Sequence, residues 1–324
     1  MKRWLSFTRF IRKTAVTDRM TERMTEKTGE TIRIYIAFIT IAVFWGLSFY
    51  STIIALRKLS TFQVLQMRWG ISAVIFLILI AVRKVRLPHR PAELKYAVLA
   101  GLLQPCVYSM FETPGIGLTS SSESSLFIAT IPCMTLIFGI LFFHRKARPL
   151  LLLGITAAFG GVLINTLFSP SFSAGGKLTG YFLLTGAVIT GGLFSHASSR
   201  ASETCSSMQI TALMSLMAGG FFSAINALKG DFLQSIRLTF SDSPTLAAVL
   251  FLGVGCSCLC YLGFNYVIGR MNPAAASNIS ASLTTTVGVV SGILFAGDPF
   301  GWFTLAALGL TICGVLLSSR ASTS

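Results

Sequence analysis

Mostly apolar stretches of about 18 residues or more recur from Thr31 to the C-terminus, each long enough to cross a hydrocarbon core of about 30 Å. Backbone in lipid finds no water to bond, so each stretch must satisfy its own amides and carbonyls as a helix. A membrane β-barrel would instead show alternating segments of about ten residues, and none occur. Composition agrees, with 53% hydrophobic and only 11% charged residues, against about 25% charged in a soluble domain. The predicted fold is all-α: a polytopic membrane protein of about ten transmembrane helices. The predicted spans are 33–54, 62–82, 94–114, 120–142, 149–168, 178–199, 208–228, 245–267, 273–296 and 301–319.

The formal net charge is +15. Its distribution points to a membrane and away from nucleic acid, because the basic residues sit at the ends of apolar spans. Nine of the 26 Lys and Arg precede Ile34. With the N-terminus inside, cytoplasmic segments hold 20 basic residues and outer loops five: Arg57, Lys58, Lys177, Lys229 and Arg237. That bias orients the chain with both termini cytoplasmic, as expected for a protein of the cell membrane with lipid as its surroundings. Residues 1–32 form a basic tail. Its Lys2, Arg3, Arg9, Arg12 and Lys13 interleave with Trp4, Phe7, Phe10 and Ile11. The tail is a short amphipathic helix on an anionic surface, a disordered tail, or an extension ahead of a true start at Met20 or Met24. No apolar run follows its basic start, which excludes a secretory signal peptide.

The chain repeats internally. A shift of 153 aligns 97–166 with 250–319 without a gap, setting Tyr108 on Tyr261 and Gly139-Ile140-Leu141-Phe142 on Gly292-Ile293-Leu294-Phe295. It also sets Gly161-Val162-Leu163 on Gly314-Val315-Leu316. A shift of 146 aligns the first two spans of each half, including Gln63 with Gln209. Each half holds five spans, an odd number, so the halves must insert in opposite orientation. Inverted repeats are a common plan of secondary transporters, with substrate bound near the midplane between the halves. The expected layout is a tail (1–32), a first repeat (33–168), an outer linker (169–177), a second repeat (178–319) and a short cytoplasmic end (320–324).

Specific residues carry a family resemblance. They are Phe44-Trp45-Gly46-Leu47-Ser48-Phe49, Met67-Arg68-Trp69, the stretch Thr119–Leu126 running to Ile131-Pro132, and Gly160-Gly161-Val162-Leu163. With these the chain resembles the EamA branch of the drug/metabolite transporter superfamily over about 33–319. The resemblance implies ten helices, two repeats, and export or exchange of small metabolites. Such families often carry an acid just after the fourth and ninth spans. Asp298 fits the second place, whereas the first reads His144-Arg145-Lys146.

Ionisable residues within lipid are costly and therefore point to function. Arg68 lies in the outer half of the second span, Glu112 at the end of the third and Glu123 at the start of the fourth. At similar depth they can pair as a gate or coupling site, or serve as a structural ion pair. Asn265 and Ala276 occupy the places of Glu112 and Glu123 in the second half, so the halves are chemically unequal. Pro105 and Pro132 interrupt the third and fourth spans by removing helix hydrogen bonds. Thr285 stands opposite Pro132, which suggests that the fourth and ninth helices wall a cavity. Tyr108 and Tyr261 each carry a polar partner four residues on, and Trp45 either lines the same cavity or packs against a neighbour. His196 and Arg200 share one face of the sixth span, as an interfacial anchor rather than a proton relay. Gly288 and Gly292 allow close packing, within the monomer or in a homodimer. Cys256, Cys258 and Cys260 alternate along one span, which cannot present three ligands on one face. No metal or cofactor is expected.

A small-molecule transporter is the leading function. No P-loop signature occurs, and an enzyme would need a nucleophile with a base, or a metal cluster. Intramembrane enzyme, lipid scramblase and channel remain the alternatives. Arg68 beside Glu112 suits a zwitterion such as an amino acid.

Overall fold

The computed structural model describes residues 2–88, 90–143, 149–168, 177–271 and 273–323, with side chains described from residue 29 onward except at 91–93, 143, 151, 166, 273–274 and 318–323, and no strand occurs among the described residues. The first helix runs unbroken over Lys2–Leu56, where a loose tail was one expectation. The tail's side chains, with the basic–aromatic pattern read from them, lie outside the described residues. The second helix is Thr61–Ala81. The third is built of Pro91–Gly101, a π-helical stretch Leu102–Tyr108, and Ser109–Leu118. The fourth is split into Ser121–Ile128 and Ile131–Phe143, and the fifth is Pro149–Phe168.

In the second half the sixth and seventh helices are Lys177–Ala201 and Ser207–Lys229. A short helix, Phe232–Phe240, then precedes the eighth, which comprises Ser243–Leu250, π-helical Phe251–Cys260 and Tyr261–Ile268. The ninth is Pro273–Ser291 with a π-helical end, Gly292–Ala296, and the tenth is Trp302–Thr323. Eight of these are long and apolar enough to cross a membrane, and the chain is an integral multi-pass membrane protein. The fifth and tenth contribute shorter apolar stretches, Leu152–Asn165 and Trp302–Leu317.

Two boundaries differ from expectation. The third helix continues past Glu112 to Leu118, through Pro114, so Glu112 is an interior residue of its helix. Lys177, assigned to the linker, is the first residue of the sixth helix. The rest of that linker, 169–176, and the loop from His144 to Arg148 fall outside the described residues.

The contacts reproduce the sequence repeat. The side-chain oxygens of Gln63 and Gln209 accept the backbone amides of Ser60 and Ser206 at 2.9 Å, which caps the second and seventh helices alike. Gly46 lies against Val287, and its repeat-mate Gly192 lies against Met134, the mate of Val287. A Cβ on Gly161 would sit 2.7 Å from the carbonyl oxygen of Ala307, and one on Gly314 would sit 2.6 Å from that of Gly154. In both cases the partners exchange under the 146- or 153-residue shift, which is what a two-fold axis between the halves does.

The direction of that axis follows from the second and seventh helices, which are repeat-mates packed together. Phe62 O accepts from Asn226 Nδ2 at 2.7 Å, the Trp69 carbonyl lies against Gly219, and the Ser72 and Ser215 hydroxyls bond at 2.8 Å. As one number rises the other falls, so the two helices are antiparallel. The axis therefore lies across the helices, and the two repeats are inverted. Glycine matters most where the fifth and tenth helices cross, because any side chain on Gly161 or Gly314 meets backbone that cannot move aside.

Candidate functional site

A small cavity, about 80 Å³ in volume, opens between the halves at mid-length of the helices. The first helix contributes Trp45, Ser48 and Phe49, and the third contributes Gln104, Tyr108 and Glu112. Trp45, Phe49, Tyr108 and Phe264 make much of the lining aromatic. The Trp45 indole donates to the Cys256 carbonyl at 3.2 Å and meets Tyr261 edge-on at 5.1 Å, so the ring is fixed by the eighth helix.

Arg68 enters from the second helix. Its Nε donates to Ser257 Oγ at 2.8 Å, and Nη1 lies 3.4 Å from Glu112 Oε2. The guanidinium also lies over the Trp69 ring, 5.5 Å from its centroid. Tyr108 donates to the other Glu112 oxygen at 3.1 Å. Four residues separate Tyr108 from Glu112, so helical spacing puts both on one face. Arg68 and Glu112 are 3% and 6% exposed. A charge pair this deep loses its water, and removing one partner strands the other.

The third and eighth helices both widen into π-helical turns beside this pair. Leu102–Tyr108, shifted by 153, becomes 255–261, which overlaps Phe251–Cys260. In the first half Pro105 lies inside the stretch; in the second half Cys258 stands in its place. Proline therefore does not account for both. Such turns are frequent at functional sites, and here they position two repeat-mates, Gln104 in the cavity lining and Ser257 against Arg68. Gln104 donates to the Tyr261 hydroxyl at 2.8 Å, and its Oε1 has no partner in the protein. On the ninth helix Ser280 and Thr284, one turn apart, also line the cavity with unpartnered hydroxyls. Sequence reasoning missed Gln104 and Ser280; on the ninth span it pointed to Thr285, and the neighbouring Thr284 is the residue that lines the cavity.

The remaining predicted residues are placed elsewhere. Glu123 does not join Arg68. It bonds Lys177 Nζ at 3.0 Å, accepts from Tyr181 at 3.3 Å and accepts the Ser120 amide at the start of its own helix. It therefore ties the fourth helix to the sixth. Beside it the Ser122 amide donates to Asp298 at 2.7 Å, which joins the fourth helix to the end of the ninth. Asn265 lies outside the cavity wall, where it accepts from Ser198 at 2.7 Å and donates to Thr211 at 2.9 Å. Pro132 follows the break at Ala129–Thr130, and Thr285 donates across to the Ser125 carbonyl at 3.3 Å.

His196 is bonded to the Thr135 carbonyl at 2.9 Å, while Arg200 pairs with Glu203. Gly288 and Gly292 face Ser125 and Ser122 of the fourth helix, within the chain. Cys256 and Cys260 point their thiols at carbonyls of the first helix, Phe44 and Thr40. Among the described residues no group of three His, Cys, Asp or Glu side chains could hold a metal.

The EamA-like transporter family model matches this chain twice, over residues 32–167 and 178–320. The chain belongs to that family. The two matches coincide with the two inverted halves and their shared cavity. This EamA-like chain is 24% identical over 290 residues to the uncharacterized transporter YcxC of Bacillus subtilis, covering 88% of this chain and 92% of that one. It is 23% identical to an uncharacterized transporter of Archaeoglobus fulgidus, over 86% of this chain and 95% of the relative. Protein PagO of Salmonella typhimurium is 23% identical over 68% of this chain and 72% of its own length. A solved crystal structure shares the fold at a TM-score of 0.63 and 15% identity, covering 89% of this chain and 98% of that one. Family and relatives together make it a transporter of small solutes.

Proposed function

We propose that the protein is a secondary transporter that carries small metabolites, with zwitterions such as amino acids as the first class to test, by alternating access. It acts as an exporter or exchanger in the cell membrane, with both termini cytoplasmic. The observation that carries this reading is the cavity between the inverted halves, with the Arg68–Glu112 pair in its wall. A substrate carboxylate can take Arg68 and a substrate ammonium can take Glu112. The internal pair is thereby exchanged for two intermolecular ones, and no charge is left buried alone. The aromatic lining accepts an apolar substrate body, and Gln104, Ser280 and Thr284 offer neutral hydrogen bonds. Rocking of one half against the other about the central axis would expose the cavity alternately. The charge bias of 20 basic residues against five supports the orientation.

Counterflow in proteoliposomes tests the proposal. Preloaded unlabelled amino acid should drive uptake of the labelled form, and Arg68→Ala should abolish it while the protein still inserts. Flux that shows no exchange would replace the transporter reading with a channel. Product formation would replace it with an enzyme.

A further inference from the structure

Between the seventh and eighth helices lies Phe232–Phe240, a helix of nine residues. At 1.5 Å per residue it is about 13 Å long, less than half the hydrocarbon thickness, so it cannot span. Its side chains are arranged opposite to those of a helix on a water-soluble protein. The polar residues Ser235 and Thr239 are fully buried, while Leu233 and Phe240 are 74% and 67% exposed. The polar side is fastened to the second helix. Ser235 donates to Gln66 Oε1 at 2.9 Å, and Gln66 Nε2 donates to the Phe232 carbonyl at 3.2 Å. Leu238 packs inward beside Leu59 and Val249.

The outward side is graded. At about 100° per residue, the order around the helix is Ile236, Phe240, Leu233, Arg237 and Gln234. The surface therefore passes from apolar through cationic to neutral polar, the gradient met on crossing from acyl chains through phosphates into water. Arg237 sits between the apolar stripe and the polar edge, where a long stem can lie on acyl chains while its head stays at phosphate level. The neighbouring turn and helix end add exposed Arg57, Lys58 and Lys229. Of the acids nearby, Asp242 is engaged in capping the eighth helix through the Thr245 amide.

We propose that Phe232–Phe240 is an interfacial helix that docks on an anionic phospholipid leaflet, with Ile236, Leu233 and Phe240 in the acyl boundary and Arg237 on lipid phosphate. Through Gln66 this contact sets the depth of the second helix, two residues from Arg68.

The test uses the full chain in nanodiscs, with Leu233→Trp, Phe240→Trp and Gln234→Trp read against the background of the four native tryptophans. Lipids brominated near the headgroup end of the acyl chain should quench most of the added emission at 233 and 240, and aqueous iodide should quench it at 234. Iodide quenching at all three sites, with no effect of brominated lipid, would overturn the proposal. Thermal unfolding reads the charge part. The unmodified protein should melt higher in phosphatidylglycerol than in phosphatidylcholine, and Arg237→Gln should lose at least half of that difference. Equal melting of the unmodified protein in both lipids would overturn an anionic partner. Neither readout depends on what the cavity transports.

Discussion

Arg68 and Glu112 in the first half have Met214 and Asn265 as repeat-mates in the second. Both pairs touch: Arg68 meets Glu112 at 3.4 Å, and the Asn265 amide nitrogen lies 3.6 Å from the Met214 sulfur. The backbone frame, the helix pair and the contact are conserved by the internal symmetry, while the chemistry changes from ionic to neutral. The surroundings diverge to match. Asn265 is held by Ser198, whereas Thr52, the mate of Ser198, leaves its hydroxyl unpartnered. One half holds an ionic pair in the cavity wall, and the other holds a neutral pair outside it.

The largest effect should come from making the first half resemble the second. Arg68→Met alone leaves the Glu112 carboxylate buried and unpaired, which should cost about 3–5 kcal/mol of stability and abolish counterflow. Adding Glu112→Asn should recover most of the stability, by thermal unfolding, and none of the transport. Recovered transport in the double variant would break the comparison.

Next comes the shared crossing of the fifth and tenth helices. Gly161→Leu and Gly314→Leu should each destabilise by about 1–3 kcal/mol through overpacking, and by similar amounts, since each meets its counterpart's backbone. Unequal thermal shifts would show that the symmetry is not energetic. Asn265→Ala should cost about 1–2 kcal/mol for its lost buried hydrogen bonds and leave the pH profile of counterflow unmoved, whereas Glu112→Gln should change that profile. Equal changes in both would remove the asymmetry. The smallest effect on transport is expected at the fourth helix. Glu123→Gln keeps an acceptor for the Ser120 amide but weakens the buried bonds from Lys177 and Tyr181, about 1–2 kcal/mol, with counterflow retained.

Much of the site was legible because charge in lipid is rare. Arg68 and Glu112 stand out in apolar runs, and Tyr108, Tyr261 and Trp45 follow from helical spacing and the repeat. Glu123 was misjudged for a physical reason: similar depth does not specify azimuth, and a turn of the helix sends it to Lys177 and Tyr181. Gln104 and Ser280 were not legible, since a neutral polar residue in a span bonds its own helix, a neighbour or a cavity with no difference in sequence; the hydroxyl-rich stretch of the ninth span marked the right helix but the wrong threonine.

By itself the sequence determined the helical membrane class, the two-repeat plan and the oddness that inverts it, because lipid leaves backbone few choices and chain order counts the crossings. Only the tertiary structure decided which helices touch across the axis, that two π-helical turns flank the charged pair, and that Phe232–Phe240 turns its apolar side outward. Those outcomes depend on partners more than a hundred residues away, and no local pattern encodes the angle at which two helices meet.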